Sequence, residues 1–266
     1  MHELVKAEVL EESLDSAKRD PGKESRIMTI TSPSITVRQA KDRGHAQHGW
    51  LDSHHTFSFG HYVDPEHMGF RSLRVINQDR VVPGAGFPKH PHRDMEIFSY
   101  VLEGSLSHED SMGNARELKP GQIQLMSAGS GVTHSEFNPS KSEPLHFLQI
   151  WIEPREKGLE PNYTEWHSNK ESDSISKALV ISADGRDHSA KIQQDAGVYR
   201  IRLEPGGSVS HTLAEGRGLW LQVINGPVRL NETALFSGDG ASSEEAGDFT
   251  VTAQYEKVEA LLFDLR

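Results

Sequence analysis

Short runs of apolar and β-branched residues, separated by turn residues, dominate the first half of the chain. The clearest runs cover residues 72–76, 96–102, 122–126 and 145–152. Pro83-Gly84, Glu103-Gly104 and Pro120-Gly121 fall in the gaps between them. Runs of this length with glycine and proline at their ends are typical of β-strands. Many such strands in succession predict an all-β barrel or sandwich.

The second half repeats this texture. Its apolar runs cover residues 177–181, 198–203, 219–224, 228–230, 249–252 and 259–264. Residues 154–176 between the halves are polar and contain two prolines, which predicts a connector. Residues 1–35 have only a loose helical spacing that breaks at Pro21-Gly22. We therefore predict an N-terminal extension (1–35), a first barrel (36–160) and a second barrel (161–266).

Composition excludes several classes of function. The net charge is -11 and no stripe of lysine and arginine is present, so a direct nucleic-acid surface is not expected. No apolar run approaches the roughly 20 residues needed to cross a bilayer, and no secretory signal is recognisable. A cytoplasmic protein without membrane contact is the expectation. The absence of cysteine excludes disulfides and thiolate metal sites.

Two residue pairs that contain histidine are the strongest candidates for a functional site in the sequence. His90 and His92 stand two positions apart, and so do His134 and Glu136. Side chains two apart on a strand point to the same face. If the two strands are neighbours, three imidazoles and one carboxylate converge. This donor set fits Fe(II), Mn, Co, Ni, Cu or Zn.

The framing of these pairs resembles a known family. Residues 86–104 read G-x3-H-x-H-x3-E-x7-G, and residues 120–138 read P-G-x7-G-x-G-x2-H-x3-N. Both strings resemble the signature motifs of the cupin superfamily. Several stretches of the sequence are similar to those of bacterial pirins. They cover residues 90–96, 100–104, 108–113 and 126–136, with upstream stretches at 43–51, 55–60 and 68–70.

The resemblance implies a bicupin, two packed cupin barrels of the jelly-roll type. It also implies a single metal, usually iron, in the first barrel, held by His90, His92, His134 and Glu136. The second barrel has His211 where a second motif would begin, but no later partner follows, so we expect it to be metal-free. The resemblance also favours a monomer.

Glu96 is a rival ligand, because ordinary cupins use the carboxylate that follows H-x-H. We favour Glu136 and expect Glu96 to orient an imidazole or to be part of the barrel wall. His108 and His146 lie on predicted strands, and we expect core or surface positions for them rather than metal ligation. Six further histidines are expected to be loop or packing residues, some at a pocket mouth: His45, His48, His54, His55, His61 and His67.

The function implied by the resemblance is a quercetin 2,3-dioxygenase, which opens the central ring of a flavonol with O2 and releases carbon monoxide. Glu136 is the candidate acceptor of the substrate's hydroxyl proton. Another small enolic substrate remains open. The alternative, implied by eukaryotic pirins, is an iron-binding regulatory protein that acts through a protein partner.

Overall fold

The structure, a computed structural model, describes residues 33–266. The predicted extension, apart from its last three residues, lies outside the described residues. The first half of the described part contains a 3-10 helix at Ala40–Asp42 and these strands: β1 (Thr36–Arg38), β2 (Gly44–Gln47), β3 (Leu51–His55), β4 (Leu73–Val81), β5 (Gly86–His92), β6 (Glu96–Glu103), β7 (Leu106–Asp110), β8 (Ala115–Leu118), β9 (Ile123–Ser127), β10 (Val132–Phe137), β11 (Leu145–Ile152) and β12 (Asn162–Trp166).

The second half begins with helix α1 (Lys170–Ser174) and has a 3-10 helix at Arg186–His188. Its strands are β13 (Lys177–Ser182), β14 (Ala190–Lys191), β15 (Ala196–Leu203), β16 (Ser208–Leu213), β17 (Gly218–Asn225), β18 (Val228–Leu230), β19 (Thr233–Leu235), β20 (Gly240–Ser243), β21 (Gly247–Ala253) and β22 (Val258–Leu265). Every apolar run singled out in the sequence lies largely within one of these strands.

Each half combines a seven-stranded sheet with a four-stranded sheet. In the first half the strand orders are β12-β9-β6-β11-β4-β3-β2 and β5-β10-β7-β8. In the second they are β1-β20-β17-β22-β15-β13-β14 and β16-β21-β18-β19. Two double-sheet units of this kind are the architecture that the cupin resemblance implies.

The two halves exchange strands at their ends. Strand β1 pairs with β20 in the second sheet system, and β12 pairs with β9 in the first. The first barrel was predicted to begin at residue 36 and the second at residue 161. By strand pairing, however, β1 belongs to the sheet of the second half and β12 to the sheet of the first. The connector predicted at 154–176 contains β12 and α1, because its polar sequence conceals a short edge strand. Each exchanged strand covers an edge that would otherwise offer unpaired backbone groups.

One apolar cluster joins the two seven-stranded sheets. It contains Ile76, Phe98 and Ile150 from the first half, together with Val198 and Phe263 from the second. All five side chains are fully buried. Burial of an aromatic or branched aliphatic side chain contributes about 1.5–3 kcal/mol, so this contact makes the described part of the chain one folded unit.

The opposite face of the first sheet is polar. Gln124, Ser99, Gln149, Asn77 and His55 are successive Cα partners across β9, β6, β11, β4 and β3. All five are buried. Buried polar groups are costly unless they find hydrogen-bond partners. This row therefore marks the interior of the first barrel as the place where the fold receives a polar or charged group.

Asp79 lies on β4 two positions after Asn77, so that it points to the same face of the sheet, and it is almost completely buried. The Ser53 hydroxyl donates a short hydrogen bond to its carboxylate. Burial, together with the negative charge of Glu136, raises the pKa of Asp79 to about 7, although the Ser53 hydrogen bond acts in the opposite direction. The barrel therefore holds a protonated carboxyl group below about pH 7.

Replacing Asp79 with asparagine tests this protonation. The unfolded chain ionises Asp79 near 3.8, whereas the folded protein holds its proton until about pH 7. The raised pKa gives stability that is fully present below the unfolded value and is lost as pH rises through the folded value. Relative to the wild type, the free energy of unfolding of Asp79→Asn should therefore increase between about pH 4 and 7, by up to about 4 kcal/mol. Urea unfolding across this range measures the difference.

The exposed Asp187→Asn variant is the matched control, and its difference from the wild type should show no such rise. Parallel curves for the wild type and Asp79→Asn would contradict the assignment.

Candidate metal centre

Three imidazoles converge in the first barrel. His90 and His92 lie on β5, and His134 on β10 is the direct Cα partner of His90. The ring centroids are 4.5 Å apart for His90 and His134, 4.8 Å for His90 and His92, and 4.9 Å for His92 and His134. One ring nitrogen from each lies within 4.8 Å of the others. The structure thus brings together these three of the four side chains singled out in the sequence.

Two of the ring nitrogens lie close together. The Nε2 atoms of His134 and His90 are 3.1 Å apart. Two nitrogens that bind one ion at right angles, each about 2.1 Å from it, stand about 3 Å apart. The Nδ1–H of His90 donates to the carbonyl of Pro88 at 2.7 Å, which leaves the Nε2 lone pair free.

Burial keeps the other two rings neutral. It lowers the pKa of His92 to about 4 and that of His134 to about 3, and the neighbouring imidazoles add to both shifts. A neutral imidazole is the form that binds a metal. His92 and His134 are therefore in their metal-binding form at neutral pH.

Glu136 is fully buried next to this trio. Its Oε1 accepts hydrogen bonds from Ser99 Oγ and Gln124 Nε2, and its Oε2 accepts one from Gln149 Nε2, each at 2.7 Å. Three donors from the polar row thus fix its orientation. Its carboxylate forms a second ligand group with His108 and His134.

The β5–β10 pairing shifts register between His134 and Glu136. The extra residue lies on β5, where three steps from His90 to Phe87 oppose two steps from His134 to Glu136. Strand β10 is therefore unbroken, and His134 and Glu136 share one strand face, as the sequence interpretation expected. Glu136 faces Phe87 across the bulge, whereas its pairing with β7 continues without a break. A β-bulge of this kind redirects side chains and is common next to functional sites. The edge position of β5 also explains how Pro91 is tolerated, since proline lacks the amide donor that an inner strand needs.

His108 is a site residue that sequence reasoning missed. From the sequence it was not expected to be a metal ligand. It is completely buried, and it lies on β7 directly opposite Glu136. Its ring centroid is 5.3 Å from that of His134, and its Nε2 is 3.3 Å from Asp110 Oδ2. The available signal was the His108-x-Asp110 spacing, which places both side chains on one strand face.

Glu96 faces elsewhere. Its carboxylate accepts a hydrogen bond from Ser127 Oγ at 2.7 Å and another from the backbone N–H of Gln193 at 3.1 Å. Burial raises its pKa. Within residues 33–266 it belongs to neither ligand group of the barrel. It joins β6 to the second half of the chain, and the structure shows no hydrogen bond from it to an imidazole.

A cavity of about 400 Å³ lies against the polar row of the first sheet. Gln149, a donor to Glu136, lines it, as do Phe59 and Phe87. His55 Nδ1 and Asn77 Oδ1 in its wall are buried without a hydrogen-bond partner. Volumes of this size with apolar walls and a few polar groups are typical of small-molecule sites. Of the six upstream histidines, four line this cavity: His45, His48, His55 and His61.

Trp151 closes the space between the cavity wall and the trio. Its ring centroid is 4.9 Å from that of His92 and 5.4 Å from that of Phe59. A second, more open cavity of about 540 Å³ lies against Pro91, His92 and Thr133. Of the trio, His92 lines this second cavity.

The second half offers a different environment for His211. Its Nε2 lies 3.0 Å from Asp264 Oδ2, and the ring packs against Tyr199. Arg217 also pairs with Asp264. Among the described residues His211 belongs to no group of three ligand side chains.

None of the helices in residues 33–266 has the length and apolar character of a membrane span.

Comparison with known proteins agrees with this geometry. The Pirin family matches residues 36–152, and the quercetinase C-terminal cupin domain matches residues 179–265. A quercetin 2,3-dioxygenase of Escherichia coli is 47% identical over 232 residues, which are 87% of this chain and 98% of the relative.

Solved structures match equally well. The crystal structure of YhhW from E. coli has a TM-score of 0.84 at 46% identity and covers 88% of this chain and 98% of its own. The bacterial pirin YhhW in complex with nickel(II) has a TM-score of 0.83 at 46% identity, with coverage of 87% and 99%. The architecture of two cupin barrels is thereby confirmed, and the chain belongs to the pirin family.

Proposed function

We propose that this protein is a metal-dependent dioxygenase of the quercetin 2,3-dioxygenase type, which opens the central ring of a flavonol with O2 and releases carbon monoxide. The observation that carries the proposal is the convergence of three imidazoles near a buried carboxylate, with a 400 Å³ cavity on the other side of Gln149, a donor to that carboxylate. The name of the 47% identical E. coli relative supports the reaction class.

We assign the metal ligands to His90, His92, His134 and Glu136. The 3.1 Å separation of two Nε2 atoms and the hydrogen bond that fixes the His90 tautomer fit a bound divalent ion. Nitrogen and oxygen donors of this kind suit iron, nickel and their neighbours. The nickel(II) complex of the related YhhW supports a divalent metal. We propose Fe(II) as the native ion, in line with the family resemblance.

A metal held by these residues would act as a Lewis acid that lowers the pKa of a substrate hydroxyl. The protein's own part is to position the substrate and accept its proton. Phe59 and Phe87 offer apolar faces to an aromatic ring in the cavity. The unpartnered His55 Nδ1 and Asn77 Oδ1 offer hydrogen-bonding positions to substrate hydroxyls.

Glu136 is the proposed proton acceptor. Donors from Ser99, Gln124 and Gln149 stabilise its negative charge and keep both oxygens in place. Such preorganisation keeps the base oriented before the substrate arrives. Asp79, whose proton is retained to about pH 7, lines the same cavity and offers a donor rather than a second negative charge.

The two carboxylates of the motif should differ in metal content when each is changed. Glu136→Gln should weaken metal binding by more than about 100-fold, because it removes a charged ligand from the donor set. Glu96→Gln should retain the metal, since Glu96 contacts Ser127 and Gln193 instead. Elemental analysis of the two purified variants after identical dialysis gives the comparison. Metal loss from Glu96→Gln together with retention by Glu136→Gln would overturn the ligand assignment.

The reaction itself is tested with quercetin in air. The iron-loaded protein should bleach the flavonol absorbance and release carbon monoxide. Metal-free protein and His134→Ala should show only the background rate, because the donor set is incomplete. His188→Ala, which changes an exposed histidine outside the site, is the matched control and should keep full activity.

Equal rates for the iron-loaded and metal-free proteins would contradict the enzymatic proposal. With metal still bound, that result would favour the alternative of a metal-dependent binding protein with a protein partner. Turnover of another enol but not of quercetin would retain the reaction class and correct the substrate.

A further inference from the structure

We infer that His45, Asp52 and His54 form a second metal site, on the β2–β3 hairpin, for a borderline cation such as Zn(II), Ni(II) or Cu(II). This site shares no residue with the centre in the barrel. The inference does not depend on the proposed function, since it rests only on the hairpin geometry. Two imidazoles and one carboxylate are a donor set that these cations prefer over Mg²⁺ or Ca²⁺.

Strand pairing brings the three side chains together. His45 and His54 are direct Cα partners, and Gln47 and Asp52 form the next pair that points to the same face. One ligand atom from each of the three lies within 4.8 Å of the others. The arrangement is fixed by a hairpin ladder that continues into β4, not by a mobile loop.

One carboxylate oxygen faces both rings. Asp52 Oδ1 is 2.8 Å from His45 Nε2 and 3.7 Å from His54 Nδ1. The two rings stack with centroids 4.4 Å apart and planes 17° from parallel. The carboxylate oxygen thus lies within 4 Å of a nitrogen of each stacked ring.

The surroundings allow a cation. The nearby Arg80 guanidinium lies 3.4 Å from Glu103, and Arg43 donates to Gln78 at 2.9 Å, so each positive group has its own acceptor. The ligand side chains remain 40–49% exposed, which leaves room for water to complete the coordination. Two positive charges close by and this exposure predict weaker binding than in the barrel.

The test is the stoichiometry of Ni(II) binding to metal-stripped full-length protein, measured by calorimetry and by equilibrium dialysis with elemental analysis. The wild type should bind two equivalents, the second more weakly. His45→Ala combined with His54→Ala should bind one, with the affinity of the stronger phase unchanged, which also shows that the variant is folded. Asp52→Asn should weaken the second phase about tenfold or more.

Two further proteins separate the sites. His134→Ala should keep the weaker equivalent, and adding the His45 and His54 changes should remove it. His48→Ala combined with His188→Ala, which changes two exposed histidines outside the group, should still bind two equivalents. A single equivalent in the wild type, or a second equivalent that persists without His45 and His54, would overturn the inference.

Discussion

The antiparallel register between β5 and β10 is the constraint on which the site depends. It sets His134 directly opposite His90, so that two imidazoles from distant parts of the sequence meet with their Nε2 atoms 3.1 Å apart. A shift by one residue would turn every side chain of β10 to the other face of the sheet. The extra residue on β5 between Phe87 and His90 leaves β10 unbroken, so His134 and Glu136 stay on one strand face.

The seven-stranded sheet of the first barrel provides the hydrogen-bond donors for the buried carboxylate. Its inner surface carries a buried row of amide, hydroxyl and imidazole groups, three of which donate to Glu136. An apolar surface there would pack with less cost, but it would leave a buried carboxylate without partners. The polar row therefore contributes less apolar packing, but its hydrogen bonds fix the charged carboxylate of Glu136 at the centre of the barrel. The apolar cluster between the two seven-stranded sheets provides the compensating stability.

The sequence predicted the parts of this arrangement that follow from local patterns. Apolar runs and turn residues located the strands, and the spacing of two residues placed His90 with His92 and predicted their meeting with His134. The bulge on β5 between Phe87 and His90 could not be foreseen, because it depends on how two strands of unequal length are matched. His108 was missed because nothing local shows that its strand lies on the other side of β10. The exchange of β1 and β12 was hidden for a similar reason, since edge strands carry few apolar residues.

The upstream histidines show the same limit. Their expected role as packing or pocket residues fits His55, which lines the cavity. The cross-strand partnership of His45 and His54 became visible only when β2 and β3 were paired. Long-range register, rather than composition, thus decides which of the 15 histidines meet.

The central claim is that one divalent ion is held between β5 and β10, and anomalous diffraction from a crystal of the iron-loaded protein tests it most directly. The account predicts a strong anomalous peak within bonding distance of His90, His92 and His134, with a Glu136 oxygen completing the protein ligands. A peak bound by Glu96, or no peak among these histidines in a crystal that contains stoichiometric iron, would contradict it.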